Sequence, residues 1–108
     1  MKWRVQTSNI HGNGVFANKD IAANEDVGVS IPLLKEDSVT KVFERNTFGL
    51  LINDSQEPNV KCVKIGTDWH FVAIKLIEKD EEILIKYEEY QKEIRSEVRV
   101  TRKRVLVI

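Results

Sequence analysis

The chain has 108 residues, 42% of them apolar and 31% charged, with 17 basic side chains against 17 acidic. This is the balance of an ordinary globular domain with one modest core, and a net charge of zero argues against a dedicated nucleic-acid binder. The single cysteine, Cys62, can form neither an internal disulfide nor a four-ligand zinc cage, no apolar run reaches the ~18 residues of a membrane span, and the first five residues lack the apolar stretch of a signal peptide, so an intracellular, metal-free protein with no membrane contact is expected.

Glycine, asparagine and aspartate punctuate the chain, and the pieces between them are short and rich in Val, Ile, Phe and Trp, the rhythm of a mainly β fold. Trp3 and Val5 alternate with Lys2, Arg4 and Gln6 as a strand; residues 8–14 turn, and residues 14–17 resume extended structure. Residues 27–33 alternate through Val27, Val29 and Ile31, and Pro32 marks a strand end or sheet edge because it has no N–H for a ladder. Residues 35–45 are polar and ambiguous, with a helical turn as the expectation. Residues 48–52 are apolar. Residues 53–59 read as a stiff exposed loop in which Pro58 keeps Glu57 extended.

Residues 60–65 and 69–74 flank Gly66-Thr67-Asp68 as a hairpin, and residues 82–87 alternate again through Ile83 and Ile85, so the middle of the chain is expected as a meander. Residues 88–95 have helix-forming composition and space Tyr90 and Ile94 four apart, which predicts a short amphipathic helix. Residues 98–108 alternate and end on Val105-Leu106-Val107-Ile108, a stretch expected to pack internally or on a partner. Nothing divides the chain, and residues 1–108 are expected as a single domain.

Charge is uneven along the chain. Residues 78–89 hold six acids against two lysines, and residues 91–108 hold six bases against two acids; two solvated faces account for such runs. Arg99, Arg102, Lys103 and Arg104 read as a basic solvated strand, because no base-stacking motif accompanies them.

Taken singly, the candidate site residues are structural. His11-Gly12-Asn13-Gly14 allows positive φ and close approach of main-chain groups to a ligand, but its spacing matches neither a dinucleotide nor a phosphate loop. Residues 53–59 supply short polar side chains that can brace their own backbone. Tyr87 closes the last alternating strand, and its phenol, neutral at physiological pH, can donate or accept a hydrogen bond without charging. His11 and His70 have no partner for nucleophilic or metal chemistry, and Cys62 reads as a small core residue.

In combination they carry more. Residues 8–21, with their glycine-rich turn and Lys19-Asp20-Ile21 step, resemble the opening motif of the SET-domain methyltransferases; residues 52–59 resemble that family's Asn-His-Ser-x-x-Pro-Asn loop, with Asp54 in place of histidine; and residues 73–87 are similar to its closing stretch, with Asp80 in place of glycine. The resemblance implies a mainly β SET-domain fold, a β-clip of short mixed and antiparallel sheets with a knot-like C-terminal threading and one short C-terminal helix. Residues 1–87 would form the motif-bearing core, and residues 88–108 a tail that caps the substrate channel or makes a dimer contact.

It further implies S-adenosylmethionine held by His11, Gly12, Asn13 and Gly14, mainly through backbone groups, and by Asn53 and Asp54, without a metal, leaving S-adenosylhomocysteine as product. Tyr87 would be the catalytic residue for methyl transfer to the ε-amine of a lysine in a basic protein or peptide, which the acidic run would attract. Phe48, Trp69, Phe71 and Tyr90 are candidates for an aromatic wall beside the amine. A homodimer through residues 105–108 is a further expectation by analogy. The alternative reading is a catalytically inactive SET-like protein-binding or structural module, favoured by the short connector between Leu33 and Asn53, the absence of a cysteine cluster after Tyr87, and Asp54.

Overall fold

The computed structural model describes residues 1–36, 41–96, 99–100 and 105–107. The first sheet starts from β1 (Trp3–Thr7) and β2 (Asn13–Ala17), which pair antiparallel through the turn at residues 8–12. A three-stranded sheet is built from β3 (Asp26–Ile31) and the hairpin of β7 (Val60–Ile65) and β8 (Asp68–Ala73), in the order β3-β8-β7. A third sheet, β10-β11-β5-β4, combines β4 (Leu33–Glu36) and β5 (Lys41–Glu44) with β10 (Arg99–Val100) and β11 (Val105–Val107) from the far end of the chain.

Two further strands complete the first sheet. β6 (Asn53–Asp54) and β9 (Glu82–Ile85) lie side by side in the order β1-β2-β9-β6. The β6–β9 pair is parallel, with Asn53 opposite Leu84 and Asp54 opposite Ile85, whereas β9 runs antiparallel to β2. Residues 53–59 grip β9 at both ends. The Ser55 N–H donates to the Ile85 carbonyl at 2.9 Å, the Asn59 N–H to the Leu84 carbonyl at 3.0 Å, and the Asn59 side chain bridges the Leu84 N–H (2.8 Å) and the Glu82 carbonyl (2.9 Å). A late strand is thus threaded between an early one and a middle one, the mainly β, SET-like arrangement.

Three local expectations are corrected. β9 leaves the β7–β8 hairpin for the first sheet, so the middle is not a meander: its apolar Ile83 and Ile85 bury against Val15 and the rest of the core instead of extending the hairpin. Lys41–Glu44 is a strand rather than part of a helical turn, because β11 and β4 flank it on both sides and Phe43 is buried; residues 37–40 of that stretch lie outside the described residues. Asn53 and Asp54 are strand rather than loop, since the parallel ladder to β9 takes them up.

The apolar residues 48–52, given no element from sequence, contribute to α1 (Thr47–Leu51). Asn46 starts it: its Oδ1 accepts the Gly49 N–H at 3.0 Å while its Nδ2 ties the cap to the Val29 carbonyl at 2.7 Å. α2 (Tyr87–Arg95) follows the predicted pattern, with acids in its first turn, bases in its last, and Tyr90 and Ile94 buried. Pro32 falls between β3 and β4, as a strand-ending proline should. Of the terminal apolar run, β11 joins β5 through its backbone, and Ile108 lies outside the described residues.

A row of rings runs through the core. Trp3 packs on Phe48 (centroids 4.8 Å), Phe48 on Phe71 (4.7 Å) and Phe71 on Tyr90 (5.2 Å), the last two edge to face. It ties β1, α1, β8 and α2 together and ends at Tyr90, on the wall of the site. Phe48, Trp69 and Phe71 are fully buried and serve as core.

Replacing Asn59 by alanine strands the Leu84 N–H and the Glu82 carbonyl at the threading point, at roughly 1–3 kcal/mol for each buried group left unpaired. Urea unfolding of Asn59→Ala should show that loss of stability; a midpoint equal to that of the parent chain would contradict the role given to Asn59.

Candidate functional site

The β6–β9 pairing collects residues far apart in sequence. The Asn53 side chain, 5% exposed, points its Nδ2 at the Glu82 carboxylate (2.8 Å), the His11 carbonyl (3.1 Å) and, more weakly, the Asn13 carbonyl (3.5 Å). Both of its N–H donors are occupied in holding the early bend against β9. The Gly12 carbonyl is also engaged, closing the turn by accepting the Ser8 N–H at 2.7 Å. The carbonyls of residues 11–13 are therefore all taken up by hydrogen bonds within the protein, while the residues themselves are exposed.

The two glycines of the bend differ in purpose. Gly12 sits at φ +45°, and the space where a side chain would begin is open. Gly14 is buried against the Glu82 carboxylate and the Ser8 Cβ, which a methyl group there would strike. Glu82 accepts both the Ser8 hydroxyl (2.7 Å) and the Asn53 amide (2.8 Å), so the absence of a side chain at position 14 makes room for an internal carboxylate. Sequence reading placed Glu82 among solvated acids. Its partners lie 74 and 29 positions away, and no local pattern announces them.

Tyr87 was expected to close a strand. β9 ends at Ile85, and Tyr87 is the first residue of α2. No side chain of the N-cap residue Lys86 serves the helix end; instead Asp54 accepts the Tyr87 N–H at 2.7 Å, a carboxylate meeting an unsatisfied donor at the positive end of a helix. The Tyr87 hydroxyl donates to the Ile52 carbonyl at 2.6 Å. Tyr87 is thereby fixed at its backbone and at its hydroxyl by the 52–54 segment.

Burial first, and the nearby Asp54 carboxylate second, push the Tyr87 phenol above its ordinary value near 10, with the Arg45 cation opposing. Because its proton is engaged with the Ile52 carbonyl, the oxygen is left to act outward as an acceptor. Burial pushes Tyr90 up as well.

Tyr87 also lines a pocket of about 190 Å³ with Arg45, Gly49, Leu50, Tyr90 and Gln91. Whole small molecules occupy cavities of roughly 300–1,000 Å³, so this one suits a single slender side chain. Gly49 brings α1 close to β3 there, where a Cβ would meet the Ser30 carbonyl and the Tyr90 hydroxyl. The Arg45 guanidinium lies over the Tyr90 ring, 5.6 Å from its centroid. Of the four aromatic candidates only Tyr90 reaches the pocket, and Arg45 covers a face of its ring. Arg45, Gly49 and Gln91 were not singled out from sequence; the positions of α1 and α2 alone give them a common cavity. The acids of the 78–82 turn divide their tasks: Asp80 adopts φ +74° and pairs with Arg4 at 2.9 Å, while Glu82 turns inward.

No protein-family profile and no curated protein matches the sequence. Among solved structures, the crystal structure of a candidate histone methyltransferase from Plasmodium falciparum is similar to this chain, with a TM-score of 0.60 and 28% identity, over 80% of this chain and 92% of that one. The likeness supports a methyltransferase fold.

The chain has two tyrosines, both with raised phenols. A raised value means that the folded state prefers the neutral phenol; that contribution is whole below the unfolded value near 10 and is lost as pH climbs through the folded values. Tyrosinate absorbance of the native chain should therefore emerge at higher pH than in urea. Coincident native and unfolded titration curves would contradict the burial and hydrogen bonding described here.

Proposed function

We propose that the chain transfers a methyl group from S-adenosylmethionine to the ε-amine of a lysine in a protein substrate. The observation that carries this reading is the convergence of the residue 11–14 bend, the Asn53–Asp54 strand and the Tyr87 hydroxyl around one parallel strand pair. The structural neighbour, named as a candidate histone methyltransferase, supports it.

The residues present suit the donor. The bend is exposed with open space beside Gly12, and Asp54 is an exposed carboxylate whose charge complements a cationic group. When bound, S-adenosylmethionine supplies a methyl group on a positively charged sulfur. His11, Gly12 and Asn13 would form the outer wall of its site, and Asp54 would offset the sulfonium charge. Asn53, whose donors are engaged internally, and Gly14, which seats Glu82, act by positioning that wall.

The lysine enters by the Tyr87 pocket, whose volume of about 190 Å³ suits one alkyl side chain. Attack requires a neutral amine with its lone pair aligned to the methyl carbon, so holding the two reactants in line is the main demand on the protein. The N–C bond forms, the S–C bond breaks, and the amine proton passes to water at the pocket mouth. Tyr87, its own proton donated to Ile52, offers lone pairs that orient the amine N–H or the polarised methyl. A carboxylate in its place would favour the unreactive ammonium.

Methyl-labelled S-adenosylmethionine incubated with the chain and a lysine-peptide library should label ε-N-methyllysine. Tyr87→Phe should lower that transfer by roughly a hundred-fold or more, the scale on which removing one preorganised polar contact acts, while far-ultraviolet circular dichroism stays unchanged. Labelling that is unaffected by Tyr87→Phe would refute the role of the hydroxyl. A folded parent chain that labels no lysine would leave the inactive binding module as the better reading.

A further inference from the structure

Arg45 gives the pocket a character that suits some amines and not others. Its Nε is buried without a hydrogen-bond partner, and the hydroxyl of Tyr90, a residue 4% exposed, lies close to the Arg45 and Ser30 side chains. Among the described residues no carboxylate forms an ion pair with Arg45; its guanidinium rests on the Tyr90 ring. A cation on an aromatic face occupies the position that a substrate ammonium would take to gain cation–π attraction. The protein's own charge thus covers a face of one of the two tyrosine rings that line the cavity.

The other titratable or charged groups around the pocket are few. Tyr87 and Tyr90 come from α2, Asp54 lies at the Tyr87 backbone on β6, and Cys62 on β7 is held as a thiol by burial, its value pushed up to about 12. Glu93, further along α2, and Arg45 both act on Cys62. At neutral pH, Arg45 is then, among the described residues, the only charged side chain lining the cavity itself.

We infer that Arg45 is a specificity-determining residue that makes the Tyr87–Tyr90 pocket accept a neutral amine and reject a fixed cation, so that the chain adds the first methyl groups to a lysine and stops short of the quaternary trimethylammonium. The inference rests on the methyl-transfer reading for its consequence in turnover, but not for its consequence in binding. A cation near a titratable amine disfavours the ammonium, which is also the unreactive form, whereas a trimethylammonium has no neutral form to fall back on. The 190 Å³ volume acts in the same direction, since each added methyl must share it with the guanidinium.

The test uses the intact chain with two peptides that differ only in carrying lysine or Nε-trimethyllysine, titrated by calorimetry at pH 9, with Arg45→Lys, Arg45→Gln and Arg45→Met as variants. The parent chain and Arg45→Lys should bind the trimethyllysine peptide more weakly than the lysine peptide. Uncovering the Tyr90 face in Arg45→Gln and Arg45→Met should shift the ratio toward trimethyllysine by roughly ten-fold, the range of a partly desolvated cation–π contact. In turnover, mass spectrometry should show early methyl states for the parent and trimethyllysine for the two neutral variants. Ratios and products unmoved in the neutral variants would overturn the inference while leaving the methyl-transfer reading intact. The predicted binding ratios with no methyl transfer by the parent would overturn that reading and leave the pocket's selectivity standing.

Discussion

Two residue pairs of parallel ladder, Asn53 with Leu84 and Asp54 with Ile85, hold together what the rest of the molecule needs to be adjacent. A ladder that short is weak by itself. What makes it durable is the set of side chains that finish it: Asn59 saturates the β9 backbone from one end, Asn53 and Glu82 lock the early bend from the other, and Asp54 receives the first N–H of α2. Asn53 and Asn59 are buried and Glu82 is partly buried, so each would cost stability if its partner were lost, while Asp54 acts from the exposed side of the pair. Polar groups inside a small β core are tolerated here because they pair with one another around a single strand.

Two residues that depart from the SET-domain pattern the sequence resembles acquire physical meaning in this frame. Asp54, where a histidine is expected, lies at the positive end of α2 and accepts the Tyr87 N–H, so its charge is used by the fold whatever else it faces. Asp80, in the place of a glycine, takes up φ +74° and offsets the awkward backbone with an ion pair to Arg4; aspartate is among the side chains that tolerate this region. Each replacement is thus accompanied by a local contact, and Asp80, the one at a positive φ, has an ion pair. The tail contributes to the same core, since Tyr90 and Ile94 of α2 bury against β7 and β8 elements while Tyr90 reaches the pocket.

Much of the architecture was legible in residue order. Alternation located β1, β2, β3, the β7–β8 hairpin and β9, and the four-residue spacing of Tyr90 and Ile94 located the buried face of α2. Long-range pairing was legible only through the resemblance, which implies a threaded C-terminal segment. Nothing in residues 82–85 says that they will leave the hairpin and enter between β2 and β6, and the strand character of Lys41–Glu44 depends on partners at residues 33–36 and 105–107. The site residues divide in the same way. The Gly-x-Gly bend, Asn53 and Tyr87 stand out as a motif, whereas the inward carboxylate of Glu82 and the cation of Arg45 come from ordinary polar stretches and gain their roles only when sheets and helices are assembled. Gly14 shows the difference best: a glycine in a bend reads as ligand access, yet its missing side chain makes space for Glu82.

The most direct test of the convergence is an amide chemical-shift titration of the isotopically labelled chain with S-adenosylmethionine. The residue 11–14 bend, Asn53, Asp54 and Tyr87 should respond together, along a single saturation curve, with little change in the β4–β5 sheet. Saturation with no change at those positions, or with changes confined to another face of the molecule, would contradict a common site built around the β6–β9 pair.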